Sequence, residues 1–496
     1  MAAMDRRRFL QSSVLVSGAA LCTRVGWAAD VSSVSLQLTL NPSRLGNPIP
    51  EDFTGLSYES AQLADPTFFS PANTELIGLI RRLGTAGVLR IGGNTSEYCY
   101  WKPDASSLPN AQALAVGPDT GRKAPPPRNI TPRAVDNLRG FIDATGWKLI
   151  YGLNMGTETP ETAAAEAEYV SRTMGEKLIA FQLCNEPDLF SRNGLRKPGY
   201  DYAQFAREWQ HFFEVIRARV PQVSFAGPDT AFNNEWLVPF AKQFKNDVAF
   251  LSQHYYAEGP PTDPSMTIER LLQPNPKLEA EFQGMAETKS DTHVPFRLTE
   301  TNSCYSGGKQ GVSDTFASAL WGADLMYQLA AAGGIGINFH GGGYGWYTPI
   351  AGTVQHGFLA RPIYYGMLLF AQAGAGHLIE ANLAARETAP LVTAYGLIED
   401  AGGRTVRAIV FNKHADRAIR LQITAGLPAT HAHALRLVAP RLDDTTDETL
   451  GSNPVGASGA WQAAHQEILP TQDGAVTIEM PPASAALVTF DAGESR

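Results

Sequence analysis

FQLCNEPDLF, residues 181 to 190, sets an apolar run directly against an asparagine, a glutamate and a proline. Phe181, Leu183 and Cys184 have the character of a buried strand, and Pro187 does not continue one. A carboxylate at that edge, Glu186, is either a cap on the next element or a group held for chemistry. The surrounding pattern decides between the two.

Apolar runs of strand length recur at 53–59, 88–94, 148–154, 178–186, 224–229, 248–256, 294–300 and 335–340. Several are continuous rather than alternating, as expected of parallel strands buried on both faces. Segments with helical spacing fill the gaps, at 75–83, 134–144, 161–174, 202–220, 235–244, 267–287, 315–332 and 363–373. Strand and helix alternating in this way over residues 46–374 predict a (β/α)8 barrel. Beyond residue 375 the helical period gives way to strand-length runs separated by Gly, Pro and Asp, which predicts a β-sandwich over 375–496. Residues 34–40 alternate apolar and polar before the barrel begins, so a segment at 30–45 is expected to join that sandwich as a strand. Within the barrel, the connection 101–131 is unusually long and carries the run Pro125-Pro126-Pro127. It is either a wall of the barrel mouth or a rigid surface excursion.

The chain of 496 residues is 44% hydrophobic and 18% charged, with a net charge of −9, which excludes an extended nucleic-acid surface. Arg6, Arg7, Arg8, Phe9 and Leu10, an apolar stretch at 14–21, and Gly26-Trp27-Ala28 together predict a twin-arginine signal peptide over residues 1–29. The apolar stretch is too short to span a bilayer, so the expected product is periplasmic or secreted, with no stable membrane insertion. Cys99, Cys184 and Cys304 would remain after cleavage. An odd set without a Cys-x-x-Cys pair points to buried thiols rather than a disulfide framework or a metal site.

Active sites of such barrels lie where the strands end. The predicted ends carry Glu59, then Gly92-Gly93-Asn94, Asn185-Glu186, His254-Tyr255-Tyr256, Thr299-Glu300, and Asn338-Phe339-His340. Glu186 and Glu300, on strands four and seven, face each other across one mouth. Two carboxyl groups about 5 Å apart suit a retaining glycosidase: one protonates the leaving oxygen and the other attacks the anomeric carbon. His254 and His340 have no third ligand at a recognisable metal spacing, so polar-core or sugar-contact roles are expected and no metal is assigned. Gly92-Gly93 lacks the lysine of a phosphate loop. No cofactor is expected.

RIGGNTSEY (90–98), FQLCNEPD (181–188), SQHYY (252–256) and LTETNSCYSGG (298–308) together resemble glycoside hydrolase family 79, the family of β-glucuronidases and heparanases. The resemblance runs over nearly all of the chain after residue 29. It implies Glu186 as general acid/base and Glu300 as nucleophile, with Asn185 on the sugar 2-hydroxyl and Tyr256 steadying the nucleophile. It also implies Glu59 and Asn94 on sugar hydroxyls, and Tyr305 with the Gly307 amide on the substrate carboxylate. Heparanases carry glycine where this chain has Ser306. Tyr347 follows the glycines after strand eight and is a candidate for stacking on the sugar. The expected partner is a glucuronide or a glucuronic-acid-containing glycan. The alternatives are an endo-acting heparanase-like enzyme, a clan relative acting on neutral sugars, and a non-catalytic glycan-binding barrel.

Overall fold

The computed structural model describes residues 34–104, 125–384, 389–399 and 403–492. The predicted signal segment and most of the proline-rich connection lie outside them. Eight parallel strands close into a barrel. In chain order they are β1 (Thr54–Glu59), β2 (Val88–Gly92), β3 (Lys148–Gly152), β4 (Leu178–Gln182), β5 (Phe225–Thr230), β6 (Val248–Glu258), β7 (Phe296–Cys304) and β8 (Ile337–Gly341). Each pairs with the next, and β8 returns to β1 through Phe339 opposite Leu56. β2, β7 and β8 are buried along their whole length, since helices cover the outside and polar side chains fill the upper interior.

A helix follows every strand. The expected single helix at 267–287 is two helices, Ile268–Leu272 and Pro276–Thr292. Pro274 follows the end of the first, Pro276 opens the second, and Asn275 caps the second by accepting from the amides of Lys277 and Leu278. The feet of the long connection after β2 are held by a short parallel pair, Cys99–Trp101 with Arg128–Ile130.

Apart from two short two-stranded pairs, the described strands outside the barrel form one continuous ten-stranded sheet, mostly antiparallel. Val34–Ile49 sits inside it, antiparallel to Gly376–Ala384 and parallel to Ile419–Thr424. The sheet folds over one core: Leu36, Leu38 and Leu40 share it with Val410, Leu421, Ile478 and Phe490. Helix Phe316–Ala331 is buried on nearly all sides. Its Asp324 reaches the sheet, accepting from Thr393, Tyr395 and Lys413. Among the described residues no helix is long and apolar enough to cross a membrane. Cys99, Cys184 and Cys304 are free and buried.

Candidate active site

The barrel interior converges on Arg90, which is 1% exposed. From β2 its guanidinium donates to Gln182 Oε1 at 3.0 Å, Asn185 Oδ1 at 2.8 Å, Asp229 Oδ2 at 2.7 Å and Glu300 Oε2 at 2.5 Å. A Cβ at Gly92 would stand 2.4 Å from the guanidinium carbon, so only glycine leaves it room. Burial opposes the charge of Arg90, but Asp229 and Glu300 outweigh burial and raise its pKa.

Glu300 was expected at the end of strand seven. It lies inside β7, which runs on to Cys304. The register of β7 against β6 and β8 shifts just before it, between Leu298 and Glu300 on one side and Leu298 and Thr301 on the other. Such a bulge re-aims side chains. Consecutive residues therefore both serve the interior: Thr299 Oγ1 donates to Asp229 at 2.7 Å, while Glu300 meets Arg90. Burial pushes the Glu300 carboxyl up. His340, His254, Arg90 and the Tyr256 hydroxyl together outweigh burial and hold it far below the usual carboxylate range. Tyr256 donates to Glu300 Oε1 at 2.7 Å. Its neighbour Tyr255 points out of the barrel, where its hydroxyl accepts from Asn275.

Glu186 follows the end of β4 in a left-handed conformation, φ 49°. Its amide donates to the carbonyl of Asp229, itself at φ 62°. Two hydrogen-bonded non-glycine residues in this region mark backbone held by its surroundings. Glu186 Oε1 lies 3.1 Å from His254 Nδ1, and His254 Nε2 lies 3.1 Å from Asp229 Oδ1. Burial alone would lower the His254 pKa, but Asp229 and Glu300 raise it to about 10. Both ring nitrogens of His254 thus face carboxylate oxygens, a setting that favours its protonated form. One oxygen each of Glu186 and Glu300 and a ring nitrogen of His254 all lie within 4.8 Å of one another. The Arg90 guanidinium stands against this trio, 2.5 Å from Glu300 Oε2 and 3.3 Å from His254 Nε2, and its positive charge opposes a metal cation there.

The remaining candidates fall around this centre. Asn185 accepts from Arg90 and donates to Asn94 Oδ1 at 3.3 Å. Glu59 accepts from the amide and hydroxyl of Thr95 at 2.8 and 2.5 Å, and its Oε1 lies 3.6 Å from His340. Tyr347 is buried, its ring 6.0 Å from that of Tyr256 and tilted by 35°. Tyr305 is 38% exposed and meets the Tyr256 ring edge-on at 6.5 Å. Ser306, Gly307 and Gly308 are consecutively left-handed, and the Gly307 carbonyl accepts from Trp346. A Cβ at Gly308 would stand 2.6 Å from the Tyr347 amide, which fixes that glycine. Lys309 turns away: its ammonium donates to the carbonyls of Asp263 and Met266.

Sequence reasoning missed Arg90 and Asp229 and undervalued His254. Arg90 stood inside a quoted motif, and an arginine within a buried strand run was itself the available signal. Asp229 stood at a predicted strand end.

A cavity of about 870 Å³ lies on the flank of the barrel, bordered by Asn275, Gln328 and Tyr305 among others, and neither glutamate lines it.

Residues 130–327 match the glycosyl hydrolase family 79 N-terminal domain. The chain is 25% identical over 390 residues to a β-glucuronidase of Neurospora crassa, covering 68% of this chain and 66% of that protein. It is 25% identical over 376 residues to a β-glucuronidase of Aspergillus niger, covering 68% of each. In fold it resembles a 4-O-α-L-rhamnosyl-β-D-glucuronidase of Fusarium oxysporum, with a TM-score of 0.73 and 18% identity over 91% of this chain and 100% of that one.

Proposed function

We propose that the chain, whose residues 130–327 match the glycosyl hydrolase family 79 N-terminal domain, is a retaining β-glucuronidase that releases terminal β-linked glucuronic acid through a covalent glycosyl-enzyme intermediate. One observation carries this reading. Glu186 and Glu300 each bring a carboxylate oxygen within 4.8 Å of the other's, which supports a nucleophile and an acid on either side of one bond. The two relatives named β-glucuronidase support the choice of sugar.

Glu300, kept ionised by its cationic neighbours, attacks the anomeric carbon. Glu186 gives its proton to the departing oxygen. In the second step Glu186 takes a proton from water, which attacks the glycosyl ester and regenerates Glu300. Asn185 meets the 2-hydroxyl, and Glu59 and Asn94 meet other hydroxyls. Tyr347 lines the sugar. The glucuronate carboxylate is received by the Tyr305 hydroxyl and the Gly307 amide, where successive left-handed residues suit an anion. The enzyme is exported by the twin-arginine route.

The test compares chromogenic β-glucuronide and β-glucoside hydrolysis by the wild type, Glu300→Gln and Glu186→Gln, and adds azide to Glu186→Ala. The expected result is preference for the glucuronide and loss of all glycosyl transfer in Glu300→Gln. Glu186→Gln should keep partial turnover of an activated substrate, and azide should restore Glu186→Ala with the β configuration retained. Inverted product, or equal losses that azide does not relieve, would reject the roles.

A further inference from the structure

Glu97 is a carboxyl that the mechanism above does not use. It lies on the tight turn Asn94–Tyr98 that follows β2, and it is 1% exposed. A buried carboxyl among backbone groups is costly unless its oxygens are matched to donors. Both are matched, and to two different elements. Oε1 accepts from the amide of Asn185, after β4, at 2.7 Å. Oε2 accepts from the amide of Gly156, after β3, at 2.5 Å. The Glu97 carbonyl adds a third tie by accepting from Thr157 Oγ1 at 2.7 Å.

The fit is specific. A Cβ at Gly156 would stand 2.5 Å from Glu97 Oε2, so the glycine is what lets the carboxyl reach that amide. On the far side of the same loop Arg196 donates to the carbonyls of Gly156 and Met155, pinning it from outside. The Asn185 side chain is then bounded from two further directions, by Arg90 on its oxygen and Asn94 on its nitrogen.

We propose that Glu97 is a positioning residue for the reaction: its carboxyl ties the chain ends after β2, β3 and β4 into one frame and so sets Asn185 against the sugar 2-hydroxyl. The inference rests on the glycosidase reading given above, with Asn185 as the 2-hydroxyl partner. It predicts a selective defect. The 2-hydroxyl contact strengthens as charge develops at the anomeric centre, so misplacing Asn185 lowers kcat more than it raises KM. A substrate without that hydroxyl has nothing to lose.

Glutamine at 97 presents one acceptor where two donors converge, so one tie breaks and the other survives. Alanine breaks both.

The experiment uses the full chain and measures kcat and KM for the wild type, Glu97→Gln, Glu97→Ala, Asn185→Ala and the double variant Glu97→Ala/Asn185→Ala. The substrates are an aryl β-glucuronide and its 2-deoxy analogue. Glu97→Ala should lose roughly thirty- to a hundredfold in kcat on the parent sugar, with KM within about threefold, and less than about threefold on the 2-deoxy sugar. Glu97→Gln should fall between it and the wild type. The double variant should be no worse than Asn185→Ala, because one residue acts through the other. Equal losses on both sugars, or additive losses in the double variant, would overturn the proposal and leave Glu97 a general support of the fold. If Glu97→Ala does not fold, the comparison of Glu97→Gln on the two sugars decides alone. A wild type that ignores glucuronides defeats the choice of sugar, not this inference. The same comparison is then run on the β-glycoside it does cleave.

Discussion

At the scale of single residues the site depends on cations placed against carboxylates. Glu300 is buried, which by itself favours the neutral acid, whereas the proposed attack needs it ionised. Two histidines, Arg90 and one phenol reverse the balance. Tyr256 is the member of this set that carries no charge, so its removal changes one hydrogen bond without unbalancing the cluster. A bond to a charged group contributes about 1.5–3 kcal/mol, equivalent to roughly one to two pK units. The sign follows from the direction of the shift. Glu300 sits below its ordinary value, so losing a donor moves it upward. Tyr256→Phe should therefore raise the pH at which kcat/KM falls on the acid side by roughly one to two units. A pH profile with an unmoved acid limb would mean that the hydroxyl serves the substrate rather than Glu300.

At the scale of elements, helix Pro160–Met174 turns Glu166 inward against β3, where it accepts from Tyr151 at 2.7 Å. Burial pushes this carboxyl up to about 8, although the Tyr151 bond acts the other way. A raised acid contributes stability that is complete below the unfolded value, near 4.5, and is lost as pH rises through about 8. Glu158, raised by burial to about 7, acts in the same direction. The wild type should thus lose melting temperature between pH 5 and 9. Glu166→Gln keeps an acceptor for Tyr151 and cannot ionise, so it should lose roughly 1–3 °C less over that range. Parallel melting curves would refute the account. Such features also separate what the sequence disclosed from what it hid. The barrel strands were legible because their continuous apolar runs have one cause, burial on both faces. The facing glutamates were legible because strand position fixes which end of the barrel a residue joins. Arg90 was not singled out, since its meaning depends on Asp229 and Glu300, distant in sequence. The bulge before Glu300 leaves no local composition signal, and the helix break at Pro274 and Pro276 was written in the sequence but outweighed by apolar spacing.

At the scale of the whole molecule, the barrel and the ten-stranded sheet meet through a charged contact. Lys413 Nζ lies 2.6 Å from Asp324 Oδ2, with side chains 7% and 3% exposed. Thr393, Tyr395 and Gln328 also donate to Asp324. Removing one partner of a buried pair costs about 3–5 kcal/mol, because the other is left charged without compensation. Lys413→Met leaves Asp324 three donors, so a loss near ~3 kcal/mol is expected, read as a fall in melting temperature. Replacing both partners removes the unpaired charge as well. Lys413→Met/Asp324→Leu should therefore be more stable than Lys413→Met, although three hydroxyl and amide donors lose their acceptor and keep it below the wild type. Neither residue touches Glu186 or Glu300, so glycoside hydrolysis well below the melting temperature should stay at the wild-type rate. A double variant no more stable than the single one would show that packing between the two layers, rather than charge compensation, holds the sheet to the barrel.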